Sequence, residues 1–453
     1  MKQAAVRILI PVFCAVVLAG CASIDPSRER ALVLDEVSER TGYAAETVTP
    51  PAGQPLAEDE AVAMAIANNR RLMAQLAEAG LARADWVTAS RPTNPVIGVT
   101  SFPGNGTGRI WDVDLRASLL GIAATPWRAE AAHNRYEARQ SETVLAVIDF
   151  IAETRRAWVD AVAARQRLDL QQRIRDAAAA SLVVAEEMRS AGNSPLMDLE
   201  RERVFAEQAE LDFLAAEHTA LQARLMLSRQ LGVEITADSL PDRLEGLDPA
   251  GFDIPDADAM TASLPLAAAR SRVEDTAGEA GLENWATLLE HVELGGVWER
   301  DDREWSRGWT LEFALPVFDP GEARRTAGRL RAEQAIDHHA GLVHEIRTSI
   351  QAAEASADLA QARLARIEGE ALPTSERLMD ATMRQYNAMQ VSVFDLMAAV
   401  QMRTRTGQSY VDALTDLHRA RIALQQIRAG GSPHGVGLSA AGGAAPMMAE
   451  GGH

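Results

Sequence analysis

The chain has 453 residues, 47% of them hydrophobic but only 5% aromatic, and a formal net charge of −19. A charge of that sign repels nucleic acid, so duplex DNA or RNA is excluded as a partner. Lys2 is the only lysine, which rules out a GxxxxGK phosphate loop, a Schiff-base lysine and a Ser-Lys dyad.

No HExxH, CxxC or GxSxG occurs either. The closest histidines, His338, His339 and His344, lack the i,i+4 spacing that puts two imidazoles on one helix face. The sequence therefore offers no catalytic residue, no metal site and no cofactor motif, and an enzyme is not expected.

At the N-terminus, Lys2 and Arg7 precede an apolar run, Ile8 to Leu18, that closes on "LAGC" at Cys21. That is the order of a secretory signal peptide, and the run is too short to span a bilayer as a helix. The "LAGC" ending resembles a bacterial lipobox, which implies removal of residues 1–20 and acylation of Cys21 with palmitate or a similar chain. Cys14 leaves with the signal, so the mature chain forms no internal disulfide. Loss of Lys2 and Arg7 deepens the charge from −19 to −21. Ala22 and Ser23 follow Cys21 without an Asp that would retain the protein at the inner membrane, so the expected location is the outer membrane, lipid-anchored, with a periplasmic extension.

Residues 21–55 carry Pro and charge without sustained periodicity and are expected to form an extended, lipidated leader. Residues 56–232 form a first repeat. Its helix, Glu58 to Ser90, ends at "RPTNP", which does not continue a helix. Two short runs follow. In the second, Val113, Leu115, Ala117 and Leu119 alternate with Asp112, Asp114, Arg116 and Ser118, the pattern of a strand with one apolar side. From Trp127 the period turns helical, and no Pro or Gly occurs until Gly192, so the helix extends roughly 95 Å. After "AGNSP" the pattern returns with Leu211, Leu214, Leu221 and Leu225 at heptad-like spacings. Residues 233–255 link the halves.

The order then recurs in residues 256–429. A helix runs from Asp256 to about Leu289, strands from His291 to Glu299 and from Trp309 to Phe318, and a turn at "DPG" leads to a second long helix with a kink expected at Pro373. A return helix ends near Arg428. "YNAMQVSVFDLM", Tyr386 to Met397, overlies "MRSAGNSPLMDL", Met188 to Leu199, at an offset of 197 residues, pairing Met389 with Gly192, Ser392 with Pro195 and Asp395 with Asp198. Both breaks read as hairpin turns. Residues 430–453, rich in Gly, Ala and Met, are expected to be disordered.

The expected fold class is mainly α with a small β part. Strands apolar on one side and polar on the other, with Trp111, Trp298, Trp305 and Trp309 near their ends, suit a membrane barrel with interfacial aromatics. Four strands are too few, since the smallest single-chain barrels need eight. Two copies give eight strands and a filled interior, whereas three give twelve and an open bore. The helices carry Arg, Asp and Glu throughout and belong in water.

At this point the chain resembles the TolC family of outer-membrane efflux ducts, in its lipoprotein branch. The likeness rests on the lipobox at Cys21, "TNPVIGV" at Thr93 to Val99, "ALPVFDPGEARR" at Ala314 to Arg325, "AGNSPLMDL" at Ala191 to Leu199 and "YNAMQVSVFDL" at Tyr386 to Leu396. It covers about residues 56 to 430. The resemblance implies a homotrimer whose long antiparallel hairpins form a periplasmic α-barrel and whose strands pool into a shared 12-stranded barrel in outer-membrane lipid. It implies as partners a periplasmic adaptor protein and an inner-membrane pump, with the chain serving as passive exit duct of a tripartite efflux or type I secretion system and using no cofactor. It places Gly192 and Met389 at the periplasmic tip turns and Asp395 at the pore constriction, where three carboxylates raise one another's pKa and attract cations. The alternative role for Asp395 and Asp198 is to favour helix N-termini. The resemblance also implies a lock between Tyr386 and Asp198, although the arginine that joins it in the family falls at Val391 and the usual tip Gly is Met389. The alternative function is a lipid-anchored periplasmic coiled-coil scaffold without a pore.

Overall fold

The computed structural model describes residues 25–44, 55–103, 109–247, 256–289, 292–301, 304–312 and 321–431. The expected signal peptide at residues 1–20, Cys21, the segment 313–320 and the tail beyond 431 lie outside the described residues. The chain divides into two compact units, one from residues 1–34, 74–143 and 267–340 and one from 35–73, 144–266 and 341–453.

The leader is not extended throughout. Residues Pro26–Thr41 form helix α1, and Asp25 caps it by accepting the Ser27 N–H at 3.0 Å. Pro26 stands at the first helical position, where a missing N–H costs nothing, and Val33 and Val37, one turn apart, are buried. The proline that suggested an extended chain is thus a helix start.

Helices α2 (Glu58–Asn68) and α3 (Arg70–Ala89) replace the single expected helix. The break is Asn69, a buried residue whose carboxamide oxygen accepts from Arg71 N and Leu72 N at 2.9 and 3.1 Å. Strands β1 (Val96–Pro103) and β2 (Arg109–Ser118) follow, then the short α4 (Leu119–Ala123), the 66-residue α5 (Thr125–Ser190) and α6 (Leu196–Leu231). At 1.5 Å per residue, α5 is about 100 Å long. The second repeat supplies α7 (Asp256–Ala262), α8 (Leu264–Leu289), β3 (Glu293–Asp301), β4 (Glu304–Glu312), α9 (Glu322–Arg366), α10 (Leu372–Asn387) and α11 (Val393–Arg428). Between α9 and α10 a wide π turn at Ile367–Ala371 precedes Pro373. A wider turn of this kind suits the neighbourhood of a proline, which has no N–H to donate to the helix ladder.

In the unit that holds the tips, α9 and α11 of the second repeat pack together, and α11 is tied by ion pairs to α5 of the first repeat. Ile346, Ile350, Ala353 and Ala357 of α9 share a core with Ala420, Leu424 and Ile427 of α11. Cross-helix ion pairs flank these helices: Arg167 donates to Asp412 at 2.9 and 2.7 Å, Arg419 to Asp160 at 3.0 and 2.7 Å, and Arg363 to Asp416 at 2.8 Å. The link at 233–247 is built in rather than loose. Trp158 Nε1 donates to Leu56 O at 2.9 Å, Leu56 N to Ser239 O at 2.7 Å, and Arg165 to Ala237 O at 2.5 Å. The heptad row Leu211, Leu214, Leu221 and Leu225 on α6 is exposed in the single chain. No described helix is long and apolar enough to cross a membrane.

Candidate functional site: hairpin tips and a two-faced sheet

The four strands form one antiparallel sheet in the order β1-β2-β3-β4. The β2–β3 pairing joins the two repeats, because it brings Leu115 opposite Gly296 and Val113 opposite Trp298. Residues paired across a sheet share a face, so the register sorts the side chains into rows. One face carries Ala117–Leu294–Leu311, Ile97–Leu115–Gly296–Trp309, Val99–Val113–Trp298–Arg307 and Ser101–Trp111–Arg300–Trp305. The other carries Val96–Arg116–Gly295–Thr310, Gly98–Asp114–Val297–Gly308 and Thr100–Asp112–Glu299–Ser306. The expected split into an apolar and a polar side runs along β2, β3 and β4, while β1 and the hairpin end add Val96, Phe102 and Ile110 to the polar face.

Strand limits differ from expectation in one direction. Strand β4 begins at Glu304 rather than Trp309, β2 at Arg109 rather than Asp112, and β3 ends at Asp301 rather than Glu299. Each extension lies at the hairpin end, where arginines on the apolar face mask the alternation. Two glycines on the polar face permit close packing: a Cβ at Gly98 collides with the Asp114 carboxylate, and one at Gly295 meets Thr310 Cγ2 at 2.8 Å and Leu115 O at 2.9 Å. The apolar face is left open to its surroundings, and Trp309 is 77% exposed.

Both hairpin tips close the same way. At the first, Asn193 N donates to Met188 O at 2.9 Å and Gly192 N to Arg189 O at 3.0 Å, with Gly192 left-handed at φ 75°. At the second, Gln390 N donates to Gln385 O and Met389 N to Tyr386 O, both at 2.9 Å, with Met389 at φ 58°. These are Schellman turns, in which a left-handed residue turns the chain back to satisfy the last carbonyls of the helix. The returning helices then start from Pro195 and Ser392, both extended.

Asp395 stands in a capping box. Its carboxylate accepts from Ser392 N at 2.9 Å and from Ser392 Oγ at 2.7 Å, while its own N–H donates to Ser392 Oγ at 3.3 Å. The Ser392 hydroxyl, helped by its backbone N–H, holds the Asp395 carboxyl below its ordinary pKa. In the single chain the capping role is therefore realised. The expected Tyr386–Asp198 hydrogen bond does not form within this chain: Asp198 is engaged one turn on by Arg201 at 4.0 Å, and Tyr386 lies at the surface.

Missed in the sequence were the helix hinges below the tips' far ends. Asn69 Nδ2 donates to Gln230 O at 2.8 Å and Arg229 O at 3.4 Å, tying the α2–α3 break to the end of α6. The second repeat places Ser263 at the corresponding α7–α8 break, where Leu264 N donates to Gly430 O at 3.0 Å. An Asn followed by two Arg in an Ala-rich helix was the only available signal. Among the described residues no group of three or more His, Cys, Asp or Glu is arranged to hold a metal ion.

No family model matches the sequence, and no curated protein matches it. Solved structures do. The outer-membrane channel OprN superposes with a TM-score of 0.70 at 19% identity, covering 83% of this chain and 90% of its own. The outer membrane protein VceC of Vibrio cholerae matches at a TM-score of 0.68 and 14% identity, covering 83% and 96%. The open state of the MtrE outer membrane channel of Neisseria gonorrhoeae matches at a TM-score of 0.67 and 15% identity, covering 85% and 94%. At these identities the likeness is one of fold, and it spans nearly the full length of the matched chains: this chain has the TolC-like fold of outer-membrane channels.

Proposed function

We propose that the chain is the outer-membrane exit duct of a tripartite efflux or type I secretion system, built as a homotrimer and conducting passively what an inner-membrane pump and a periplasmic adaptor deliver. One observation carries the proposal. The sheet has an exposed apolar face, a charged opposite face, and edges at β1 and β4 that no described strand covers. An open edge in lipid leaves backbone groups unsatisfied at several kcal/mol each, so the sheet crosses a membrane only when other copies close it. Three copies give twelve strands and place the charged face around a bore. The exposed leucine row on α6 gives neighbouring copies a seam along the helices. Cys21 is proposed as the acylation site, and Asp395 as a carboxylate that three tips bring to a constriction while its cap is retained. The scaffold alternative has no use for the exposed sheet face.

The test is reconstitution of the purified full-length protein in planar bilayers, together with its mass in detergent. Trimers that carry discrete ionic currents are expected, and trivalent cations added at the tip side should block them less in Asp395→Ala. A monomer without current overturns the duct, whereas current with unchanged block removes only Asp395 from the constriction.

A further inference from the structure

We propose that the hairpin-end half of the sheet's apolar face binds the phosphate of anionic lipid headgroups through Arg109, Arg300 and Arg307, set among Trp111, Trp298 and Trp305. The proposal rests on the reading that this face meets lipid.

The face is graded. Its rows nearest the helices, Ala117–Leu294–Leu311 and Ile97–Leu115–Gly296–Trp309, carry no charge. The next two toward the hairpins each bring one arginine against indoles: Arg307 opposite Trp298, then Arg300 between Trp111 and Trp305. Arg109 follows, opposite Pro103. Same-face rows are about 7 Å apart, so neighbouring guanidinium groups can reach one headgroup.

The sign of the charge is what makes this more than an aromatic belt. The chain carries −19 overall, and Asp112, Asp114, Glu293, Glu299 and Glu312 all lie on the other face of the same sheet. Among the described residues, the apolar face bears no carboxylate. None of its three arginines makes an ion pair with another described residue: Arg109 Nε donates to Ser101 Oγ at 3.1 Å, and the Arg300 guanidinium lies 5.9 Å from the Trp305 ring centre. A guanidinium on the lipid side of a barrel is costly at the midplane and nearly free of cost near the interface. Placement at one end of the strands avoids that cost and leaves fixed positive charge without a carboxylate partner among the described residues. Phosphate supplies the partner, since its oxygens match the guanidinium fork, and the indoles seat the acyl-glycerol region beside it.

The experiment is quenching of tryptophan fluorescence of the full-length protein reconstituted in mixtures of phosphatidylcholine and phosphatidylglycerol, with bromine on the acyl chains of one or the other. Brominated phosphatidylglycerol should compete for the tryptophans about five-fold better than brominated phosphatidylcholine, and the ratio should fall to about one in R109Q/R300Q/R307Q and at high salt. Quenching of that variant by brominated phosphatidylcholine at the wild-type level shows that it is inserted. Arg116→Gln, on the opposite face, should keep the wild-type ratio. Quenching by both lipids with a ratio of one in the wild type overturns the site and leaves the membrane reading intact. An equal loss of preference in Arg116→Gln assigns the effect to net charge and also overturns the site. Absence of quenching by either lipid overturns the membrane reading, and the site with it.

Discussion

The two repeats build the same joints from different residues. At the hinge of the first repeat, Asn69 uses its whole carboxamide, accepting two N–H groups of α3 and donating to two carbonyls at the end of α6. At the hinge of the second, Ser263 is buried and its hydroxyl has no partner. The second joint is held by backbone, through Leu264 N and Gly430 O, and by a side chain from outside the break, since Arg40 Nη1 donates to Ala262 O at 3.2 Å and to Ala429 O at 3.4 Å. At the tips the difference runs the other way round: Gly192 meets the left-handed turn without strain, while Met389 adopts it with a side chain that is 94% exposed. Duplication preserves geometry, and each copy meets that geometry with whatever chemistry its residues allow.

The largest effect should come from the glycines that receive the hinges. Gly232 and Gly430 are both left-handed, at φ 71° and 89°. A Cβ at Gly232 lies 2.8 Å from Asn68 O, and one at Gly430 overlaps Ala262 O. Gly430→Ala therefore combines a disfavoured backbone with a collision against fixed main chain and should cost about 3 kcal/mol or more; Gly232→Ala should cost somewhat less. Thermal unfolding of each variant, followed by circular dichroism, orders them. Equal stability of Gly430→Ala and the wild type breaks the idea that the second hinge is held by its backbone.

Next in size is the hinge pair itself. Asn69→Ala removes a helix cap and strands buried groups, a loss of about 2 kcal/mol. Ser263→Ala removes a hydroxyl that has no partner and should leave stability within about 0.5 kcal/mol of the wild type or raise it. A Ser263→Ala variant as damaged as Asn69→Ala removes the asymmetry between the joints.

These hinges also mark how far the sequence could be read. The long helices, the tips and the paired faces were legible because period 3.6, period 2 and an Asp at a fixed offset from each break are local signals. Asn69 was not, because an Asn inside an Ala-rich helix costs little by itself, and its partners lie 160 and 161 residues away. The strand ends at Arg109, Arg300 and Trp305 were missed for a different reason. Arginine on an apolar face breaks a pattern that counts only hydrophobicity, although its neighbours across the sheet are indoles. The helix Pro26–Thr41 was hidden by a proline that starts a helix as readily as it ends one.

The tips predict a smaller effect of opposite sign in the two repeats. No atom lies within 4 Å of a Cβ built on Gly192, so Gly192→Ala tests backbone strain alone and should cost about 1 kcal/mol. Met389→Gly should gain about the same amount, because the side chain it removes is exposed. Both are read from the unfolding midpoint. A Met389→Gly variant that is no more stable shows that the methionine is bound at the tip in the assembled protein, which is where strain kept for function is expected.

The smallest effect separates the two aspartates and turns on sign. Ser392 holds the Asp395 carboxyl below its ordinary pKa, so the capping contribution is fully present above the unfolded carboxyl value and is lost as pH falls through the lower, folded value. The proposed constriction, if it gathers three Asp395 carboxylates, would push the other way, since each would disfavour the charge of its neighbours. If the constriction prevails, block of the current by multivalent cations should weaken as pH is lowered, with a midpoint above the ordinary Asp value, and the pH dependence should vanish in Asp395→Ala. Asp198 occupies the equivalent helix position beside Arg201, and Asp198→Ala should leave that midpoint where it was. A midpoint below the ordinary value means that the cap outweighs the neighbours, and Asp395 then differs from Asp198 in the serine that precedes it and in lacking an arginine one turn on.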